Sequence, residues 1–273
     1  MRERVIKQSE HTIYGSLAKF QEANGHHPPG VLTVMNGGLP IDVRHEPAGH
    51  DVTTVFFHAA LSKTAYRFPI FTGAGISEGL PTNRIYISDP TLYLDDELTL
   101  AWYAGNRKQP RLQWVIRAIL KGLIPEGQRV VTFGPSGGGF AAMYYATKFE
   151  HATAVPTNPQ TSLARYLRYE VEKYLRLAWG VEGQGALAQI DPVTELARVY
   201  RSGKTRVFYV QNRNDASHIA QHYEPFMAGL PAGHDVHPVL VDGKPGHRPP
   251  DKAITRAVLA AAIAGAETPP AAP

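Results

Sequence analysis

The chain has 273 residues, 43% hydrophobic and 19% charged, which suits one α/β domain able to bury a sheet on both faces. A net charge of +4, scattered along the chain, argues against nucleic acid as a partner. The absence of cysteine excludes disulfides and thiolate-held metals.

In chain order, Arg2–Ala23 reads as an N-terminal helix ended by Asn24-Gly25. Its opening residues lack the apolar core of a secretory signal. Val31–Met35 and Ile41–His45 flank Asn36-Gly37-Gly38 as a hairpin that supplies an antiparallel edge. Thr53–Phe57 is apolar enough for a central strand and runs into His58-Ala59-Ala60-Leu61, and Arg84–Ser88 reads as the next strand. Pro110–Leu123 carries apolar residues at 112, 115, 116, 119, 120 and 123, a helical stripe that would pack on the sheet.

Arg129–Phe133 is short, β-branched and apolar, and Phe140–Thr147 favours helix. Between them, Gly134-Pro135-Ser136-Gly137-Gly138 matches the G-x-S-x-G pattern of a nucleophile at a strand-to-helix turn. Such a turn strains the serine backbone, and a Cβ two positions away would collide with strand or helix. A Gly-rich loop that binds phosphate, or merely turns, is the other reading. A serine hydroxyl is a poor nucleophile unless a histidine takes its proton and a carboxylate orients that histidine. Downstream, Ala152–Val155 and Arg206–Gln211 read as strands, the latter running into Asn212-Arg213-Asn214-Asp215. Asp235–Val241 reads as the next strand and leads through Asp242-Gly243-Lys244-Pro245-Gly246 to His247. Lys252–Ala264 would be the last helix, ended by Gly265, with residues 266–273 as a frayed tail. The longest apolar run, Ala257–Ala264, is too short to span a bilayer, so a soluble cytoplasmic protein is expected.

Between Val155 and Arg206 lies an insertion of about fifty residues. Within it, 160–189 reads as a lid. Leu163, Leu167, Val171, Leu175 and Ala178 form one apolar helical face, and Arg165, Arg168, Tyr169, Lys173 and Arg176 occupy the others. One reading has Tyr166, Tyr169, Tyr174 and Trp179 contacting substrate; the other is an amphipathic helix with a solvated basic face. Gly73–Gly79 fails as a dinucleotide fingerprint because Pro81 stands where a helix should continue, and Gly203-Lys204-Thr205 precedes a strand, unlike a P-loop. His218 and His222, four apart beside Asp215, could form a metal face, but no third neutral ligand is evident and no metal is expected.

GPSGG at 134–138, Asp215, His247 and HAA at 58–60 resemble the α/β-hydrolase superfamily, from Val31 to the last helix. The resemblance implies an α/β fold with a doubly wound, mostly parallel sheet and a helical cap insertion. It also implies Ser136, Asp215 and His247 as a triad in the order nucleophile, acid, base. The oxyanion hole would come from the N–H groups of Gly137 and of Ala59 or Ala60. His58 then reads either as a substrate contact or as a strand-end histidine bonded to its own loop. His218 is a further substrate contact, a shaper of the acid loop, or a replacement for His247. Asp89 and Asp242 rival Asp215 as the acid. SDP at 88–90, LAWYAG at 100–105, GPSGGGFAA at 134–142 and QNRND at 211–215 are similar to hydrolase-like proteins of bacterial capsule and glycan biosynthesis. The expected activity is therefore hydrolysis of a carboxylic ester, on a small-molecule or glycan-linked acyl substrate, without cofactor. Acyl transfer by the same triad, and a non-catalytic binding or assembly role, are the alternatives.

Overall fold

The computed structural model describes residues 2–7, 10–62, 67–201 and 204–271. The strands of its main sheet are β1 (His11–Tyr14), β2 (Gly30–Asn36), β3 (Leu39–Glu46), β4 (Val52–Phe57), β5 (Asn83–Ile87), β6 (Arg129–Pro135), β7 (Ala152–Thr157), β8 (Arg206–Asn212) and β9 (Val236–Val241). They lie side by side in the order β9-β8-β7-β6-β4-β5-β3-β2-β1. Only β3 runs antiparallel to its neighbours β2 and β5; the other pairs are parallel.

A mostly parallel sheet must be covered on both faces, and the side-chain alternation of the strands shows how. Val55, Phe57, Val130, Val207 and Tyr209 join one buried cluster with α1 (Leu112–Leu123), α2 (Gly137–Ala146) and α3 (Arg168–Tyr174). Val52, Phe56, Val131, Phe133, Phe208 and Val210 join another with α4 (Lys252–Ala264). The expected stripe of α1 is buried at Leu112, Val115, Ile116, Ile119, Leu120 and Leu123. Each such side chain contributes about 2 kcal/mol of hydrophobic stabilisation before entropy is counted.

The N-terminal expectation is corrected. The helix covers only Leu17–Gln21, with the Ser16 side chain accepting from the Lys19 N–H. Ahead of it, His11–Tyr14 pairs in parallel with Val31–Val34, and Glu3–Arg4 pairs with Arg67–Phe68. Thr12, Ile13 and Tyr14 favour extended backbone, and the open edge of β2 offers them unpaired peptide groups. The hairpin forms as expected, with Asn36 opposite Leu39 and Gly37-Gly38 as the turn. In the 160–189 segment Leu163, Val171, Leu175 and Ala178 are buried, whereas Leu167 is 57% exposed. At the C-terminus the Ala266 N–H still donates to Ala261 O at 3.0 Å, so the expected tail begins docked; residues 272 and 273, like Gly203, lie outside the described residues. Among the described residues no helix is long and apolar enough to cross a membrane.

Because β4, β6, β8 and β9 run parallel, their carboxyl ends share one edge of the sheet. There His58, Ser136, Asp215 and His247 follow them in the chain.

Candidate active site

Ser136 joins β6 to α2 at φ 54° and ψ −118°, a conformation that costs about 1–3 kcal/mol for a residue with a side chain. The surroundings hold it there: its N–H donates to Thr157 O at 2.9 Å and its carbonyl accepts from Gly139 N at 3.0 Å. The flanking glycines are obligatory. A Cβ on Gly138 would lie 2.5 Å from Phe57 O and 2.6 Å from His58 O, and one on Gly134 would run into the Gly138 carbonyl.

From this turn Ser136 Oγ lies 3.0 Å from His247 Nε2, and His247 Nδ1 lies 2.8 Å from Asp215 Oδ2. A carboxylate only accepts, so Nδ1 carries the proton and Nε2 is left as an acceptor facing the hydroxyl. Asp215 is buried, and its other oxygen accepts from the His218 N–H at 3.2 Å. Of the rival acids, Asp89 accepts instead from the N–H groups of Tyr103 at 2.7 Å and Thr91 at 3.0 Å. Burial raises the Asp89 carboxyl to about 6. Asp242 is exposed and faces Arg213 at 3.8 Å.

The loop carrying His247 is held by asparagine side chains that the sequence reading missed. Asn158 Nδ2 donates to Arg248 O at 2.7 Å, Asn212 Nδ2 to Lys244 O at 2.8 Å, and Asn214 Nδ2 to Gly243 O at 2.7 Å. Asn158 Oδ1 also accepts from Asn212 N at 2.8 Å, tying the ends of β7 and β8 together. As turn formers, asparagines after a strand suggest only a change of direction.

His218 stacks on His247 with ring centroids 3.9 Å apart and planes 9° apart. Its Nδ1 lies 3.1 Å from Asp215 Oδ2, and among the described residues neither ring nitrogen has a well-aligned hydrogen-bond partner. Burial, then the neighbouring His247, lower His218 to about 4; burial, then His218, lower His222 to about 3. Both rings are thus neutral near pH 7, and His218 adds no positive charge beside His247. Tyr166 packs edge-on against His218 at 6.3 Å. These rings, with Arg165, Arg168 and His247, line a cleft of about 860 Å³.

The remaining expected contacts fall differently. His58 is 4% exposed; its Nδ1 donates to Ala59 O at 2.7 Å and its Nε2 accepts from Asp89 N at 3.1 Å, leaving no ring nitrogen for a substrate. That is the loop-bonded reading, and burial lowers the ring to about 4. Tyr169 is 57% exposed and lines a separate hollow with Glu97 and Lys173. Trp179 packs near Gly105 and does not line the His247 cleft. Tyr166 and His218, by contrast, do line it. Among the described residues, no acceptor takes the N–H of Gly137, Ala59 or Ala60. Asp215, His218 and His247 present ligand atoms within 4.8 Å of one another, but a cation there would displace the His247–Asp215 hydrogen bond.

A last contact lies behind the serine. Gln160 Nε2 donates to Ser136 Oγ at 3.0 Å, and Trp102 Nε1 donates to Gln160 Oε1. Gln160 is fully buried and follows the end of β7, beside the nucleophile strand. Its position at a strand's carboxyl end was the one signal the sequence carried.

No family model and no curated protein matches the chain. Solved structures do. The fold is similar to the capsule O-acetyltransferase of Neisseria meningitidis serogroup A, with TM-score 0.63 and 16% identity over 83% of this chain and 95% of that one. It is also similar to an S-formylglutathione hydrolase from Agrobacterium tumefaciens, with TM-score 0.55 and 14% identity over 86% and 93% of the two chains. For acetyl xylan esterase 1 from Thermoanaerobacterium sp. the TM-score is 0.51, at 14% identity over 85% and 87%. The chain has the α/β-hydrolase fold, and its likenesses within that fold include an acetyltransferase, a hydrolase and an esterase.

Proposed function

We propose that this protein is a serine-dependent enzyme that cleaves a carboxylic ester through an acyl-enzyme on Ser136. One observation carries the reading: hydroxyl, imidazole and carboxylate stand in line at 3.0 Å and 2.8 Å, with the imidazole tautomer the chemistry requires. Ser136 Oγ attacks the acyl carbonyl as His247 Nε2 takes its proton, and Asp215 favours the transient imidazolium. The N–H groups of Gly137 and of Ala59 or Ala60 stabilise the oxyanion, each by about 3 kcal/mol. His247 then gives the proton to the leaving group, and water resolves the ester in a second, mirrored step. The His247 side chain is 39% exposed, so water has access to the base. In this reading 160–189 is a cap of which Ala164–Arg168 overhang the cleft.

Acyl transfer to a hydroxyl, including one on a glycan, is the second reading. It is favoured by the likeness to a capsule O-acetyltransferase, a variant of which has been solved in complex with CoA. Fluorophosphonate labelling with peptide mapping tests the shared step: label is expected on Ser136 and lost in Ser136→Ala. A panel of p-nitrophenyl esters, with and without sugar acceptors, then separates the readings, because transfer gives acceptor-dependent product. A binding or assembly protein would take no label.

A further inference from the structure

We propose that Gln160 is a further catalytic residue, an amide donor that aims the Ser136 proton at His247, and that Trp102 is its positioning residue. The inference rests on the serine reading above. It begins with polarity. An indole N–H can only donate, so the Gln160 atom it meets must be Oε1, which turns the Nε2 donor toward Ser136 Oγ. A hydroxyl has one proton. With an acceptor site of Oγ filled by Gln160 at 3.0 Å, that proton is directed to His247 Nε2, also at 3.0 Å. His247 in turn donates from Nδ1 to Asp215. Five side chains, Trp102, Gln160, Ser136, His247 and Asp215, thus form one donor-to-acceptor series whose direction is set at both ends. At one end is a group that only donates, at the other a group that only accepts.

The backbone supplies an independent observation. Trp102 and Tyr103 are consecutive aromatic residues at φ 53° and 54°, the left-handed region that bulky residues avoid. Strain of about 1–3 kcal/mol per residue persists only where other contacts over-determine it. Here the buried Asp89 carboxylate holds the Tyr103 N–H, and the Tyr103 hydroxyl donates to Ile87 O at 3.0 Å while accepting from His58 N at 2.7 Å. The result of that strained anchorage is an indole N–H placed against Gln160.

During attack the Oγ–H bond breaks, its proton passes to His247 Nε2, and the Oγ–carbon bond forms. The Gln160 protons stay on nitrogen throughout. The carbonyl π pair moves to its own oxygen, which takes the charge, while the Gln160 donor keeps its hold on one Oγ lone pair and so keeps the hydroxyl aimed at His247 as the proton leaves.

The test is the rate of Ser136 labelling by a fluorophosphonate, where an Oγ–P bond forms as fluoride leaves, measured on the full chain from about pH 5 to 9. Gln160→Met keeps the volume and removes the donor; about a tenfold slower rate is expected, with the wild-type pH profile. Gln160→Glu can donate only when protonated, and once ionised it draws the serine proton away from His247. Its rate relative to wild type should therefore fall as pH rises, which a merely structural side chain would not produce. A Gln160→Met rate within about twofold of wild type, or a Gln160→Glu ratio that is flat or rises with pH, overturns the proposal. Should either variant fail its thermal melt, Trp102→Phe decides, since it deletes the indole N–H that fixes the amide; an unslowed rate there overturns the proposal as well. Absence of label on wild-type Ser136 would overturn both this inference and the serine reading beneath it.

Discussion

Ser136 and His247 meet across 3.0 Å, but the chain holds them by different means. The serine is 7% exposed, on a backbone wedged between β4, β7 and α2, where close contact leaves no room for a Cβ at Gly138. The His247 side chain is 39% exposed, on a loop hung from three asparagine amides. Packing errors on the first side have nowhere to relax, so stability and reactivity should fail together. Hydrogen-bond losses on the second side should displace the base while leaving the core intact.

The largest effect is expected from Gly138→Ala. Its methyl would overlap two carbonyl oxygens, costing about 3 kcal/mol or more, and denaturant melts should show the loss alongside abolished Ser136 labelling. Asn212→Ala should divide the two properties. About 1–2 kcal/mol of stability is lost with the part-buried hydrogen bonds, while a shifted base slows labelling by about a hundredfold. Asn214→Ala, which loses the Gly243 contact, should do the same more mildly; equal losses of stability and rate in either variant would erase the contrast.

His218→Phe sharpens the comparison through pH. The ring titrates near 6.5 when unfolded and about 4 when folded, so between those values the unfolded chain binds the extra proton and wild-type stability is lost as pH falls. Phenylalanine keeps the stack on His247 and removes that loss. Denaturant melts at about pH 7 and 4.5 should show the variant losing less stability than wild type, by on the order of 2 kcal/mol. The smallest effect is expected for Arg168→Ala at the cleft rim. Its 2.7 Å pair with Glu172 is exposed, and a change beyond about 0.5 kcal/mol in a melt would contradict its solvated character.

Much of this architecture was legible in the residues. The apolar runs of β4, β6 and β8 stand out because strands buried on both faces are apolar nearly throughout, and these three, like edge strand β9, each lead into a chemically distinctive loop. The residues Ser136, Asp215 and His247 could be selected from that arrangement. Their distances could not, since a loop sequence does not state its path. Edge strand β1 was read as helix because half-exposed strands carry little periodicity. Tyr169 and Trp179 were selected from a helical segment whose rotation about its axis is set by packing alone. Gln160 and Asn158 belong to no motif, and Asn212 enters only within the QNRND segment, where nothing gives it a role. Their importance comes from what lies across from them in space.

The side-chain bonds by which Asn158, Asn212 and Asn214 hold the histidine loop all end on main-chain carbonyls, those of Gly243, Lys244, Gly246 and Arg248, and the Gly246 N–H donates in return to Asn214 O. None grips the Lys244 or Pro245 side chain. Those two exposed positions, next in the chain to the cleft-lining Gly246, are therefore open to redesign: an engineer can rewrite the surface there without retuning the imidazole.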